Sequence, residues 1–301
     1  MNAPEHRCGT VVVVGRANVG KSTLLNRILG EKVSIVSPVA QTTRNIVRGV
    51  CTETRGQIVF LDTPGMHRAI GNLGRIMNKM ARGAIGNADL VLLVLDGAAR
   101  PFVEDDGWMR RLIKHDIPWM VAVNKNDETG FSSEAYRVME NEIRTELDST
   151  ERATWLEISA ASGASVDELI AVLFAQLPEA PPLFDEDMLT DYPRKLAIAD
   201  FIREKLFTVL HEELPHAIAV HVEKLEEGEK QWGIEAEIYV NQSSQKGIVI
   251  GHKGRLIRTI QRQAEIELAE VYDVAIDLKL WVKVHKGWDK NFWLLRKLGY
   301  A

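Results

Sequence analysis

The chain has 301 residues, 46% hydrophobic and 26% charged, with a net charge of −5; that length favours two domains, and the composition excludes a disordered or fibrous chain. Its two cysteines, Cys8 and Cys51, have no ligand spacing, which excludes a disulfide framework and a cysteine zinc site. The apolar runs are too short for a membrane helix and the start lacks a secretory pattern, so a reducing cytoplasm is the expected setting, with peripheral contact at the inner face of the cell membrane left open.

In chain order, "TVVVV" before Gly15 reads as a strand, and "KSTLLNRILG" from Lys21 as a helix closed by its final glycine. "QIVFLD", "LVLLVLD" and "WMVAVNK" follow as further short strands. Strands that are apolar throughout are buried on both faces, as in a mostly parallel sheet flanked by helices. The first part is therefore a doubly wound α/β domain, and ligands of such sheets gather at the carboxyl ends of the strands.

The proline-rich, acidic stretch "LPEAPPLFDEDMLTDYP" (Leu177 to Pro193) breaks this pattern and reads as a linker. Beyond it, Leu196, Ala199, Ile202, Leu206 and Val209 recur at helical spacing. Ile218, Val220 and Val222 then alternate along one strand, and Ile234, Ala236, Ile238 and Val240 along another. "EKLEEGEK" (Glu223 to Lys230) between them reads as a solvated hairpin turn. A glycine loop, a helix and a last strand (Ile276, Leu278, Leu280, Val282, Val284) complete a smaller α+β domain. The expected division is residues 1–177, a linker over 178–193, and residues 194–301. From Asn241 onward there are 7 Lys and 4 Arg against 3 Asp and 3 Glu, a net +5, so the first 240 residues carry −10. Such asymmetry suits either an anionic partner for the tail or a plain solvated basic face.

"GRANVGKS" (Gly15 to Ser22) matches G-x-x-x-x-G-K-[ST] between a strand and a helix, the context this phosphate-binding motif requires. Its residues Gly15, Arg16, Ala17, Asn18, Val19 and Gly20 would turn backbone N–H groups onto phosphates at a helix start, with Thr23 next in line. Lys21 would reach the β- and γ-phosphates and the Ser22 hydroxyl would ligate magnesium. "DTPG" (Asp62, Thr63, Pro64, Gly65) at the next strand end would place Asp62 on magnesium and the Gly65 N–H on the γ-phosphate. In "NKND" the Asp127 carboxylate can accept from both guanine N1–H and the N2 amino group, which adenine cannot offer; buried mismatches of this kind reject the wrong ligand by about 10⁴–10⁵. Lys125 would cover the base, Asn124 would tie neighbouring loops, and "SAASG" (Ser159 to Gly163) would bring the Ala160 N–H to guanine O6. The cofactors expected are GTP or GDP with Mg²⁺.

These motifs, in this order, resemble the translation-factor-like P-loop GTPases. The resemblance implies that "AQTTRN" carries a switch threonine, Thr42 or Thr43, that ligands magnesium when the γ-phosphate is present, with Thr43 favoured. With "KSTLLNRILG", "REKLF", "ELP", "LWVKV", "GW" and "LGY" added, the whole chain is similar to the Era-type GTPases, bacterial enzymes with a C-terminal RNA-binding KH domain. Ala17 departs from that family, which usually has proline there.

"GHKG" (Gly251, His252, Lys253, Gly254) fits the G-x-x-G loop of a KH domain, and the surrounding element order fits its type II form. Such a loop clamps about four unpaired nucleotides. Lys253, Arg255 and Arg258 would add charge, and Ile248, Val249 and Ile250 an apolar wall for bases. A tight turn between helices is the plainer reading of the loop alone. Trp281, Trp288 and Trp293 read as packing anchors, and the eight histidines form no ligand cluster. The resemblance implies binding near the 3′ end of small-subunit ribosomal RNA and a role in maturing the 30S subunit, as a monomer.

Three rival readings are an ATP-using P-loop enzyme, which "NKND" opposes; a GTPase with two nucleotide domains, which the single motif set opposes; and an RNA-binding module whose nucleotide is structural. The catalytic set expected is Lys21, Thr42, Thr43, Gly65 and Asn18, the last as a ligand for an activating potassium ion, as in related GTPases. Met66 stands where Ras-type enzymes have a water-orienting glutamine; a thioether cannot replace it, so slow intrinsic turnover is expected.

Overall fold

The computed structural model describes residues 6–39, 42–65, 71–115, 117–150, 152–210 and 214–300. It divides into two compact units: one of residues 1–34, 43–68 and 77–191, the other of residues 35–42, 69–76 and 192–301.

The first part of the chain runs β1 (Arg7–Val14), α1 (Lys21–Leu29), β2 (Val47–Glu53), β3 (Gly56–Asp62), α2 (Gly71–Ala84), β4 (Leu90–Asp96), α3 (Val103–Lys114), β5 (Trp119–Asn124), α4 (Glu134–Glu146), β6 (Thr154–Glu157) and α5 (Val166–Gln176). The strands form one sheet in the order β2-β3-β1-β4-β5-β6. Every pairing is parallel except that of β2 with β3. Every residue of β4 and β5 is buried, which explains their unbroken apolar sequences: helices cover both faces. One face packs Val12, Val14, Leu93 and Leu95 against Trp108, Met109 and Tyr136 of α3 and α4. The four strands read from sequence are β1, β3, β4 and β5. The edge strands β2 and β6 escaped because their polar and half-exposed residues, "VRGVCTE" and "TWLE", carry no buried run.

The segment expected to be a linker is strapped to the first unit. The Pro178 carbonyl accepts from the Cys8 N–H at 3.1 Å, and Leu189 from Val50 at 2.8 Å. Buried Gln57 accepts from the N–H groups of Leu183 and Phe184, both at 2.9 Å, and donates to the Phe184 carbonyl at 3.0 Å. The free edge of β2 is thereby covered.

The second unit contains α6 (Arg194–Val209), β7 (Ala219–Glu227), β8 (Gln231–Val240), α7 (Ser243–Ile250), α8 (Arg255–Tyr272), β9 (Ala275–Val284) and α9 (Phe292–Lys297). Its sheet has the order β7-β8-β9, with β7 antiparallel and β9 parallel to β8. Ile234, Ala236 and Ile238 stand opposite Leu278, Leu280 and Val282. This inward row packs on Ile198, Ile202 and Leu206 of α6 and on Ile260, Ala264 and Leu268 of α8, so the period-2 and helical spacings both report the core. The fold is thus a doubly wound α/β domain followed by a smaller α+β domain.

Three local readings are corrected. The strands β7 and β8 extend into "EKLEEGEK", leaving only residues 228–230 as the turn. The apolar run before the glycine loop is the end of a helix, α7, whose N-terminus is closed by a Gln242–Gln245 capping box. Among the three tryptophans only Trp288 is a packing anchor, fully buried with its indole N–H donated to the Ala217 carbonyl at 2.9 Å; Trp281 and Trp293 are 44% and 73% exposed. No described helix is long and apolar enough to cross a membrane.

Candidate functional site

The loop between β1 and α1 carries "GRANVGKS". Gly20 caps α1 in a left-handed conformation and offers no capping side chain, which leaves the helix start to an anion. Asn18 also has positive φ, 64°, a conformation asparagine tolerates. Val19 is buried under the loop. The Lys21 ammonium is buried and donates to the carbonyls of Gly15 at 3.2 Å and Arg16 at 2.9 Å. Burial pushes its pKa down to about 8, against the pull of Asp62.

At the first turn of α1, Ser22 Oγ lies 2.9 Å from Thr43 Oγ1 and donates to Asp62 Oδ2 at 2.6 Å. Ser34 Oγ donates to the same carboxylate oxygen at 2.9 Å. The other oxygen, Oδ1, is buried without a hydrogen-bond partner among the described residues. Burial raises the Asp62 pKa, opposed by Lys21 and by the two hydroxyls. An oxygen-only corner with an orphaned carboxylate oxygen suits a small hard cation. Thr42 does not join it: its hydroxyl donates to the Val39 carbonyl. Of the pair left open by the sequence, Thr43 is the one whose hydroxyl faces Ser22.

Gly65 carries "DTPG" against the phosphate loop so closely that a Cβ there would fall 2.8 Å from the Ala17 backbone nitrogen. Thr63 is buried and donates to the Val13 carbonyl at 2.8 Å, anchoring the strand end, and Pro64 is buried beside it. Met66 lies outside the described residues.

Asn124, at the end of β5, donates to the Val19 carbonyl at 2.8 Å and accepts from the Ala160 N–H at 2.8 Å. It thereby ties two loops, and the Ala160 N–H, expected to meet guanine O6, donates to Asn124 here. Ser159 is buried and accepts from the Ser162 N–H at 2.9 Å. Arg27 of α1 donates to the carbonyls of Ala160 and Ala161. Lys125 has positive φ and donates to Asp96 at 2.8 Å. Asp127 is exposed at the loop's rim, free to meet a base edge.

Asp96 was missed by sequence reading. It closes β4 and pairs with both Lys125 and Arg16, the latter at 3.4 Å. Arg16 also reaches the fully buried Asp105 at 3.2 Å and lies over the Phe102 ring. These acidic residues brace the phosphate loop from behind. No sequence motif marks them, because they come from other strands and helices.

In the second unit, "GHKG" joins α7 to α8. Gly251, Lys253 and Gly254 all have positive φ (70°, 50° and 73°), and a Cβ at Gly251 would fall 2.6 Å from Leu256 Cβ. The turn therefore depends on its glycines. His252, Lys253, Arg255 and Arg258 are exposed, and Arg258 donates back to the Lys253 carbonyl at 2.8 Å, bracing the loop. The apolar wall is smaller than expected. Val249 is wholly buried in the core and Ile250 packs against it, while Ile248 is 55% exposed.

Comparison with known proteins matches residues 10–125 to the family model "50S ribosome-binding GTPase" and residues 213–289 to "KH domain". The chain is 40% identical to GTPase Era of Thermoanaerobacter sp. (strain X514), covering 98% of this chain and 97% of that protein. It is 38% identical to GTPase Era of Geotalea uraniireducens, covering both chains completely. Two solved structures are each 37% identical and cover 98% of this chain and 99% of their own. One is an Aquifex aeolicus Era variant bound to GDP.AlF4−, with TM-score 0.89. The other is Era in complex with MgGDPNP and nucleotides 1506–1542 of 16S ribosomal RNA, with TM-score 0.90.

Proposed function

The chain belongs to the GTPase Era family, and from that premise we propose that it is a GTPase whose GHKG loop holds the 3′ region of small-subunit ribosomal RNA during 30S assembly. The observation that carries the nucleotide half is the convergence of Ser22, Thr43 and Asp62 at the start of α1, below a phosphate loop. Ser22, Thr43 and Asp62 would hold Mg²⁺, Asp62 through its unpartnered oxygen. Magnesium held there would offset the negative charge of the phosphates.

The protein's own groups supply the rest. The α1 amides and Lys21 bind the phosphates; for this the ammonium exchanges its carbonyl partners for phosphate oxygens. Gly65 offers its N–H where the γ-phosphate would stand. Asn124 sets the loops around the base, and Asp127 reads guanine. Asn18 would ligate potassium, adding a positive charge where other systems insert an arginine; turnover should then be faster in potassium than in matched sodium salts. Residues 1–177 do the nucleotide work, 178–193 connect, and 194–301 hold RNA. Lys253, Arg255 and the exposed Ile248 are the groups we place on RNA, with Gly251 and Gly254 allowing the strand to approach. Solved Era proteins bind GDP.AlF4−, MgGDPNP and 16S ribosomal RNA, which supports both halves. The setting is cytoplasmic, as a monomer, with any membrane contact peripheral.

The test is steady-state phosphate release from GTP, with excess ATP as competitor. We expect slow, magnesium-dependent turnover that ATP leaves unchanged. Inhibition by equimolar ATP would contradict the role of Asp127, and absence of turnover would make the nucleotide a structural ligand.

A further inference from the structure

Asn26 of α1 has no part in binding nucleotide as described, yet it makes three hydrogen bonds to one short stretch of chain. Its Oδ1 accepts from the N–H groups of Val33 at 3.0 Å and Ser34 at 2.9 Å, and its Nδ2 donates to the Ser34 carbonyl at 2.7 Å. That stretch lies outside any helix or strand, so no ladder holds its backbone and a side chain must. The bonds fix Ser34 through both its N–H and its carbonyl, and the residue is only 3% exposed. Its hydroxyl donates to Asp62 Oδ2 at 2.9 Å. All of these groups belong to the first unit.

Two donors meet Asp62 Oδ2, Ser22 at 2.6 Å and Ser34 at 2.9 Å, while Oδ1 has no partner among the described residues. The two donors are not equivalent. Ser22 is itself placed on the cation, so its hydroxyl turns with that role. Ser34 has its backbone pinned by Asn26, so its direction does not depend on the cation. Hydrogen bonds to an ionised acceptor are the stronger kind, and the groups that hydrogen-bond a ligating carboxylate set its orientation. We propose that Ser34, held by Asn26, is a positioning residue for magnesium: by pinning Oδ2 it keeps Oδ1 of Asp62 open to the cation. The inference rests on reading Ser22, Thr43 and Asp62 as the magnesium corner.

The test is equilibrium binding of a fluorescent, non-hydrolysable GTP analogue to the full chain over a magnesium series. Ser34→Ala deletes only the hydroxyl and leaves the backbone groups that Asn26 holds. It should raise the magnesium concentration for half-maximal binding by about tenfold, the low end for losing the hydrogen-bond partner of a metal ligand. Affinity for the analogue without magnesium should stay within about twofold. Ser34→Thr keeps the donor and should restore most of the loss. Asn26→Ala should raise the magnesium requirement too, and combined with Ser34→Ala should add nothing further, because it acts through that hydroxyl. A merely structural role would lower the melting temperature and leave the magnesium requirement of folded Ser34→Ala unchanged; that result overturns the proposal. A loss from Asn26→Ala that adds in full to that of Ser34→Ala overturns it as well. If Asn26→Ala does not fold, Ser34→Ala and Ser34→Thr decide alone. Asp62→Asn separates the two readings. If it leaves the magnesium requirement unchanged, the reading of the corner fails and the proposal falls with it. If it raises the requirement while Ser34→Ala does not, the proposal alone fails.

Discussion

Asn124 links two loops through two buried hydrogen bonds, to the Val19 carbonyl and from the Ala160 N–H. Replacing it by alanine would leave both backbone groups without those partners, at about 1–3 kcal/mol each. The loops would relax in the nucleotide-free protein, so GDP affinity should fall by roughly thirtyfold or more, the equivalent of about 2 kcal/mol. Titration calorimetry with GDP checks this; an unchanged affinity would mean that the loops are held elsewhere. Asp96 invites a second substitution. Asp96→Asn keeps the shape but removes the charge shared by Arg16 and Lys125. Both cations would lose one anionic partner, and GDP affinity should fall by about tenfold, while Arg16 keeps Asp105. Which of these residues the sequence revealed follows from how they act. Lys21, Ser22 and Asp62 sit in contiguous motifs with fixed roles. Asp96, Asp105 and Ser34 act only through folding, across separations no local pattern records. The commitment of the Ala160 amide to Asn124 was equally invisible, because a single hydrogen-bond choice decides it.

Among elements, the strap over β2 shows what composition leaves out. Proline and acidic residues marked a linker, and Gln57 holds its backbone through three hydrogen bonds. Composition reports the absence of helix or strand periodicity; it does not report whether the backbone finds side-chain partners. Gln57→Ala would remove the acceptor for two amides and the donor for one carbonyl. We expect a loss of about 3 kcal/mol in unfolding free energy, read by urea denaturation. Faster proteolytic nicking within residues 181–188 should accompany it. Equal protease resistance would show that main-chain bonds such as Val50 to Leu189 suffice. Helix α7 was hidden for the opposite reason. Its eight residues include Gly247 and a closing run of β-branched residues, "IVI", which reads only as an apolar run until the capping box and the core position of Val249 are seen. The long, strongly periodic elements, α6, α8, β8 and β9, were legible because each turns a full apolar row to one core.

Across the whole molecule, charge divides as the two loops do. The last part of the chain carries +5 against −10 for the rest, and three of its exposed cations, Lys253, Arg255 and Arg258, lie at the GHKG turn. The central claim is that one protein holds two phosphate-bearing ligands with two separate glycine loops. Changing His252 and Lys253 together to aspartate tests it most directly, since the turn keeps its glycines and the substituted side chains are exposed. The measurement is the affinity of single-stranded RNA from the 3′ end of 16S ribosomal RNA for the wild type and this variant, by fluorescence anisotropy over a salt series, with GDP affinity as the internal control. The account predicts that RNA affinity collapses in the variant while GDP affinity stays within about twofold. In the companion Lys253→Ala protein, binding should weaken modestly and the slope of log affinity against log salt should flatten by about 0.7, one phosphate contact. A folded double variant that binds the RNA as tightly as the wild type, with the same salt slope, would reduce the GHKG loop to a turn and contradict the account.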